Sequence, residues 1–194
     1  YDFHFGKGRG GTPDFLVAAG AAHGFDVEIV PRVEADGDGP IRVASSTATR
    51  AALERGDVGA ATALLGHAYS ITGTVLPGQR LGRTLGFPTA NLVADPSCRL
   101  RHGIYAVRAH VHEDHRDGRT WDAVASWGRR PTVEADGAPL LEVFLFDFSG
   151  DLYGREMRVD FVAFLRGEAK FETLEAMTAQ MHQDVADAKA ALAR

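Results

Sequence analysis

Between residues 69 and 165 the chain reads as strand after strand with no helix between them. Residues 69–76 (YSITGTVL), 103–111 (GIYAVRAHV), 120–127 (TWDAVASW), 140–148 (LLEVFLFDF) and 156–165 (EMRVDFVAFL) are rich in β-branched and aromatic residues and bounded by Gly, Pro, Asp or His. Five or six such runs in succession call for antiparallel neighbours, and a small closed barrel accommodates them. Residues 113–119 (EDHRDGR) and 148–154 (FSGDLYG) read as polar hairpin loops. Residues 173–193 read as a helix. Leu174, Met177, Met181, Val185, Ala188 and Leu192 recur every three or four residues and form one apolar stripe. That stripe is expected to cover an open face or end of the barrel.

The first third differs. Thr12 and Pro13 open a helix that Gly24 closes. Residues 25–34 (FDVEIVPRVE) alternate like a short strand. In residues 45–66 Ser45 or Ser46 caps one short helix and Gly56 ends it; Asp57 caps a second and Gly66 ends that. The chain begins without Met, inside what reads as a strand entering the glycine-rich run FGKGRGG, and so reads as part of something longer.

Among 194 residues the formal net charge is −5, with a pI near 5.9. This lacks the basic footprint of a general nucleic-acid binder. The acidic balance, and strand faces without interleaved basic and aromatic residues, disfavour a nucleic-acid-binding barrel. No stretch approaches the roughly 20 apolar residues that span a bilayer, and no signal peptide is visible. The single cysteine, Cys98, excludes an intrachain disulfide and fits a reducing, cytoplasmic compartment. The eight histidines show no metal-binding spacing.

Two stretches hold residue types that suit chemistry. In GQRLGRTLGFPTANL (78–92), Gly78, Gly82 and Gly86 permit close backbone approach to a ligand. Successive N–H groups in such a loop form an anion nest, and Arg80 and Arg83 add charge that suits phosphate. Thr89 offers a hard oxygen of the kind Mg²⁺ accepts, with Asn91 two residues on. The same residues also suit a hairpin turn whose Thr and Asn bond their own backbone. In LLEVFLFDF, alternation places Glu142 with Phe144, Phe146 and Phe148 on one face and Leu141, Val143, Leu145 and Asp147 on the other. A carboxylate among three phenylalanines suits a general base; one at the solvated rim of a strand needs no function. WGRRPTV (127–133) and FLRGEAKF (164–171) read as a turn and a loop in their own right.

Taken together and in order, YDFHFGKGR, SSTATRAALERGDVGAATALLG, YSITGTV, GRTLGFPTANL, GIYAV, WGRRPTV, LEVFLFDFSGDLYG and FLRGEAKF resemble the C-terminal part of bacterial bifunctional riboflavin kinase/FAD synthetases. The resemblance implies a mainly β fold: an antiparallel Greek-key barrel with a C-terminal helix, preceded by an α/β remnant of a nucleotidyltransferase domain. It implies a division into residues 1–66, the tail of the FMN adenylyltransferase, and residues 67–194, the riboflavin kinase. It implies ATP- and Mg²⁺-dependent phosphorylation of riboflavin to FMN, with small-molecule substrates and neither nucleic acid nor membrane as partner. Adenylylation of FMN would belong to a longer parent.

By the same resemblance Glu142 is the base. Thr89 and Asn91 serve Mg²⁺ and the ATP phosphates. Gly82, Arg83, Gly86 and Pro88 shape the phosphate loop, and Arg166 with the RGEAKF loop contacts or covers the flavin. SSTATR resembles the loop that helps hold ATP for adenylylation, with Ala48 where Arg is common. Ser126, Phe144 and Gly167 stand where Asn, His and Pro are common. A flavin-nucleotide binding module without catalysis is the alternative; it needs no base.

Overall fold

Six strands form one antiparallel sheet: β1 (Ser70–Thr74), β2 (Ala90–Val93), β3 (Gly103–Val111), β4 (Thr120–Gly128), β5 (Leu140–Leu145) and β6 (Glu156–Arg166). The computed structural model describes residues 3–33, 43–78, 82, 85–111, 118–128 and 139–193. Strand order is β1-β6-β3-β4-β5-β2. Strands β3, β4 and β5 follow one another as neighbours, and β6 returns to lie beside β3, which is the Greek-key path. Beyond β1 the Leu76 N–H donates to the Asn91 carbonyl at 2.8 Å. This bridge brings the two edges of the sheet together and nearly closes the barrel.

Alternation decides what is inside. Tyr105, Val107, Ala123, Ala125, Trp127, Leu141, Val143 and Val159 are all fully buried in one core. The polar atoms taken inside find partners: Trp127 Nε1 donates to the Leu100 carbonyl at 2.9 Å, and the Tyr105 hydroxyl donates to the Arg101 carbonyl.

Helices α1 (Pro13–His23), α2 (Ser46–Arg55) and α3 (Val58–Leu65) start and stop where capping chemistry puts them. Thr12, Ser45 and Asp57 accept from backbone N–H groups, and Gly24, Gly56 and Gly66 end the helices. Helices α2 and α3 pack into the barrel's own core through Ala52, Leu53, Val58 and Ala61. Arg101 reinforces the joint: its N–H donates to the Leu53 carbonyl at 2.9 Å, Nη1 donates to the Arg55 carbonyl at 3.2 Å, and its guanidinium lies 4.7 Å from the Phe164 ring centre.

The strand predicted over 25–34 does not form in its described part, 25–33. Phe25, Ile29, Val30 and Val33 are exposed. Their β propensity reflects fit to a pleated, half-buried surface, and the segment pairs with no strand among the described residues. The strand predicted over 140–148 ends at Leu145, because the backbone turns through Asp147 with φ +55°. Glu142 and Phe144 keep the shared face. Phe148 does not: it packs edge-on against Trp121 at the barrel core. The loop at 113–119 and the WGRRPTV turn lie mostly outside the described residues.

Helix α4 (Leu174–Leu192), capped by Thr173, covers the outer face of β3, β4 and β6. Ala188 and Leu192 bury against Ala106 and Phe146, with Val124, Phe144 and Val185 around them. On the outer face of strand β3 the helix buries Ala106 fully, while Arg108 stays exposed. The predicted stripe covers the barrel as expected at its C-terminal half, whereas Leu174 is exposed.

Candidate functional site

Cross-strand register assembles one row of side chains from five strands. Asn91 on β2 is opposite Glu142 on β5. Glu142 is opposite Ser126 on β4, Ser126 opposite Ile104 on β3, and Ile104 opposite Arg166 on β6. The flanking Leu92, Leu141, Val143, Ala125 and Trp127 belong to the core, so this row takes the outer face. Above it opens a cleft of about 290 Å³, with Glu142 and Ser126 on its floor, Phe87 and Phe144 on one wall, and Met177 and Met181 of α4 on the other.

The glycine-rich loop enters from the side. Phe87 is buried and anchors it, edge-on to Phe144 (centroids 5.3 Å apart) and His182 (4.9 Å). The Gly82 carbonyl accepts from the N–H groups of Leu85 (3.1 Å) and Phe87 (2.7 Å). A Cβ on Gly82 would strike the backbone carbonyl of Phe87, so that position requires glycine's bare backbone, and one on Gly78 would displace the Asn91 carboxamide. Gly86 turns the loop with φ +86°. Asn91, 6% exposed, donates through Nδ2 to the Thr89 carbonyl at 3.5 Å. Thr89 lines the Glu142 cleft and also a second cleft of about 290 Å³, bounded by Val75, Pro88, Ser149, Gly150 and Asp151. It therefore stands between two adjoining spaces. Arg80 and Arg83 lie outside the described residues.

Arg166 is held by α4. Its Nε and Nη2 each donate to an Asp184 carboxylate oxygen at 2.7 Å, and Nη1 donates to the Gly167 carbonyl at 2.9 Å. Gln180 Nε2 adds a 3.0 Å bond to the same carboxylate. Asp184 is 4% exposed.

A larger cavity, about 680 Å³, opens beside the joint of α2 and α3 with the barrel and is lined in part by Ser46, Thr49, Arg50, Tyr69, Cys98 and Arg99. There the Tyr69 hydroxyl and the Cys98 thiol share a 3.2 Å hydrogen bond. Burial, reinforced by that bond, pushes the Tyr69 hydroxyl well above the usual phenol range. Burial does the same to Tyr105, against the opposing Arg101 charge. The Asp95 carboxyl is lowered by hydrogen bonds from the Ser97 side chain and backbone.

A family model described as Flavokinase, riboflavin kinase, matches residues 65–192. The chain belongs to this riboflavin kinase family. The bifunctional riboflavin kinase/FMN adenylyltransferase of Pseudomonas fluorescens is 46% identical over 189 residues, which cover 97% of this chain and 58% of that protein. The Haemophilus influenzae protein of the same name is 40% identical over the same shares. A solved Streptococcus pneumoniae structure, described as a macrolide-efflux protein, superposes with a TM-score of 0.75 at 33% identity, covering 97% of this chain and 58% of that one. Among the described residues no helix is long and apolar enough to cross a membrane. The riboflavin kinase of Trypanosoma brucei, at 20% identity and a TM-score of 0.51 over 64% of this chain and 80% of that one, shares the fold. The chain thus spans 58% of the length of the curated relatives named here.

Within this riboflavin kinase family member, the structure gathers Gly82, Thr89, Glu142 and Arg166 around one cleft, whereas Asn91 is buried opposite Glu142 in the sheet without lining that cleft, and Pro88 faces the neighbouring one. Gly86 instead lines the pocket under Phe146 and His182. Sequence reasoning missed Asp184 and the cleft-facing role of Met177 and Met181. A signal for Asp184 was present: it lies three residues after Met181 and four before Ala188, an acid inside an apolar stripe.

Proposed function

We propose that this chain transfers the γ-phosphoryl group of ATP to the ribityl 5′-hydroxyl of riboflavin, giving FMN and ADP. Residues 67–194 carry this activity and residues 1–66 form the C-terminal portion of an adenylyltransferase module. The observation that carries the reading is the position of Thr89 between two clefts, with the Asn91–Glu142 pair beside it. Riboflavin occupies the Glu142 side, whose walls of Phe87, Phe144, Met177 and Met181 suit a flat apolar ring. The nucleotide phosphates occupy the Pro88–Ser149 side. The acceptor hydroxyl and the γ-phosphorus then meet beside Thr89.

Phosphoryl transfer depends on positioning and charge neutralisation more than on covalent work by the protein. The loop from Gly82 to Asn91 offers backbone N–H groups, with Arg83, to the phosphates. Glu142 takes the 5′-hydroxyl proton as the oxygen attacks. Arg166 forms part of the flavin wall. Thr89 and Asn91 fit Mg²⁺ as neutral oxygen donors, and among the described residues no group of three acidic, His or Cys side chains could hold a metal alone. That donor set suits an ion that keeps waters and takes its remaining ligands from phosphate. Bound there, Mg²⁺ supplies charge neutralisation on the transferring group.

Both substrates are cytoplasmic small molecules, and the chain works in that compartment. In a protein as long as the bifunctional relatives, FMN is further adenylylated to FAD. The test is chromatographic separation of riboflavin, FMN and FAD after incubation with ATP and Mg²⁺. FMN that requires both ATP and Mg²⁺, without FAD, is the expected result. Tight flavin binding with no FMN formed would instead make the chain a binding module.

A further inference from the structure

Helix α4 has two unlike halves. Its buried residues are Asp184, Ala188 and Leu192. From Ala188 onward it lies on the barrel, and Arg108 Nη2 ties its end by a 3.2 Å bond to the Leu192 carbonyl. From Leu174 to Gln183 it buries nothing completely, and Met177 and Met181 overhang the cleft. Asp184 marks the changeover, and it is a carboxylate gripped by Arg166 through two 2.7 Å bonds and by Gln180 through one of 3.0 Å.

Such a pair is a poor way to gain stability. Desolvating both charges offsets most of their attraction, and apolar replacements of similar volume often do as well. It is a good way to fix geometry. Apolar contact is non-directional, whereas a forked guanidinium–carboxylate pair sets both distance and rotation. The guanidinium is itself restrained by its bond to the carbonyl of the next residue, Gly167, just past the end of β6.

We infer that Asp184 is a positioning residue for flavin binding: through Arg166 it sets the height and rotation of the overhanging half of α4, and so the gap between Met177/Met181 and the Glu142–Ser126 floor. This rests on the reading of that cleft as the riboflavin site. Asp184 acts on the width of the flavin slot and leaves the nucleotide side, built from Pro88, Ser149 and Gly150, untouched.

The test compares wild type with Asp184→Asn, Asp184→Glu and Gln180→Leu. It measures riboflavin binding by flavin fluorescence, KM for each substrate, and thermal melting. The expected result for Asp184→Asn is a riboflavin Kd and KM raised about tenfold or more, with KM for ATP within about twofold of wild type. Asp184→Glu, which keeps the charge, recovers part of the loss. Gln180→Leu, which leaves the ion pair in place, shifts riboflavin affinity in the same sense by less, and serves if Asp184→Asn does not fold. Unchanged riboflavin affinity, or equal rises in both KM values that track the fall in melting temperature, would reduce Asp184 to a structural staple and overturn the inference alone. Failure of the wild type to bind riboflavin would overturn the reading of the cleft and this inference with it.

Discussion

Asn91 and Glu142 are direct partners across the β2–β5 pair. The carboxamide next to the glycine-rich loop and the carboxylate on the cleft floor therefore share one side of the sheet by register, independently of any loop. A one-residue slip of β2 would turn Asn91 into the core and Leu92 out. Leu92 is fully buried opposite Leu141, so the hydrophobic core itself fixes the geometry of the polar pair.

Glu142→Gln preserves shape and removes the carboxylate proposed as the base. The expected outcome is a kcat lower by ~10²–10⁴-fold, with riboflavin KM and melting temperature close to wild type. Steady-state kinetics at saturating ATP and Mg²⁺ checks it. Turnover near the wild-type value would remove the base assignment.

Thr89→Val keeps the side chain's volume and deletes its hydroxyl. Thr89 lies between the two clefts, so the loss should fall on Mg²⁺·ATP rather than on riboflavin. A Mg²⁺ titration of FMN formation is expected to shift to higher concentrations, with riboflavin binding retained. A superimposable titration curve would contradict the role.

Gly82→Ala tests the loop without removing a polar group. The new Cβ strikes the Phe87 carbonyl, while the Phe87 ring is wedged between Phe144 and His182. The loop cannot yield without unseating that ring. Overpacking of this kind costs typically about 1–3 kcal/mol, here confined to the loop. Because Gly82 and Phe87 line the riboflavin side, KM for riboflavin should rise several-fold while the barrel melts near the wild-type temperature; equal riboflavin affinity would show that the loop tolerates the shift.

Much of this was legible in the chain because the governing signals are local. Thr12, Ser45, Asp57 and the glycines at 24, 56 and 66 announced three helices through chemistry contained within a turn. Alternation in β3 to β6 announced the barrel and put Glu142 on the face opposite Leu141 and Val143. What failed was what depends on partners distant in sequence. Residues 25–33 have strand-forming side chains but form no strand among the described residues, and Phe148 left its expected face once Asp147 turned the chain. The cleft's second wall was hidden for the same reason. Met177, Met181 and Asp184 look like ordinary members of an amphipathic helix until β6 brings Arg166 to them.

Alkaline pH offers a test of the core itself. Tyr69 and Tyr105 both have phenols held above their ordinary value, chiefly by burial. In the unfolded chain each loses its proton near pH ~10, whereas in the fold each keeps it. Above that pH the folded state binds more protons than the unfolded one, so stability falls as pH rises. The contribution is fully present below the unfolded pKa and is lost on the way up to the folded one. Melting temperatures measured from about pH 8 to about pH 12 should stay level and then decline steeply beyond ~10. Tyr105→Phe leaves the Arg101 carbonyl without its phenol donor, a loss of about 1–3 kcal/mol at neutral pH. It should nevertheless flatten the alkaline decline, because one of the two titrating groups is gone. Tyr69→Phe should flatten it too, with absorbance near the tyrosinate band reporting one fewer late-ionising phenol. An alkaline slope unchanged in both variants would mean that neither phenol is shielded in the fold.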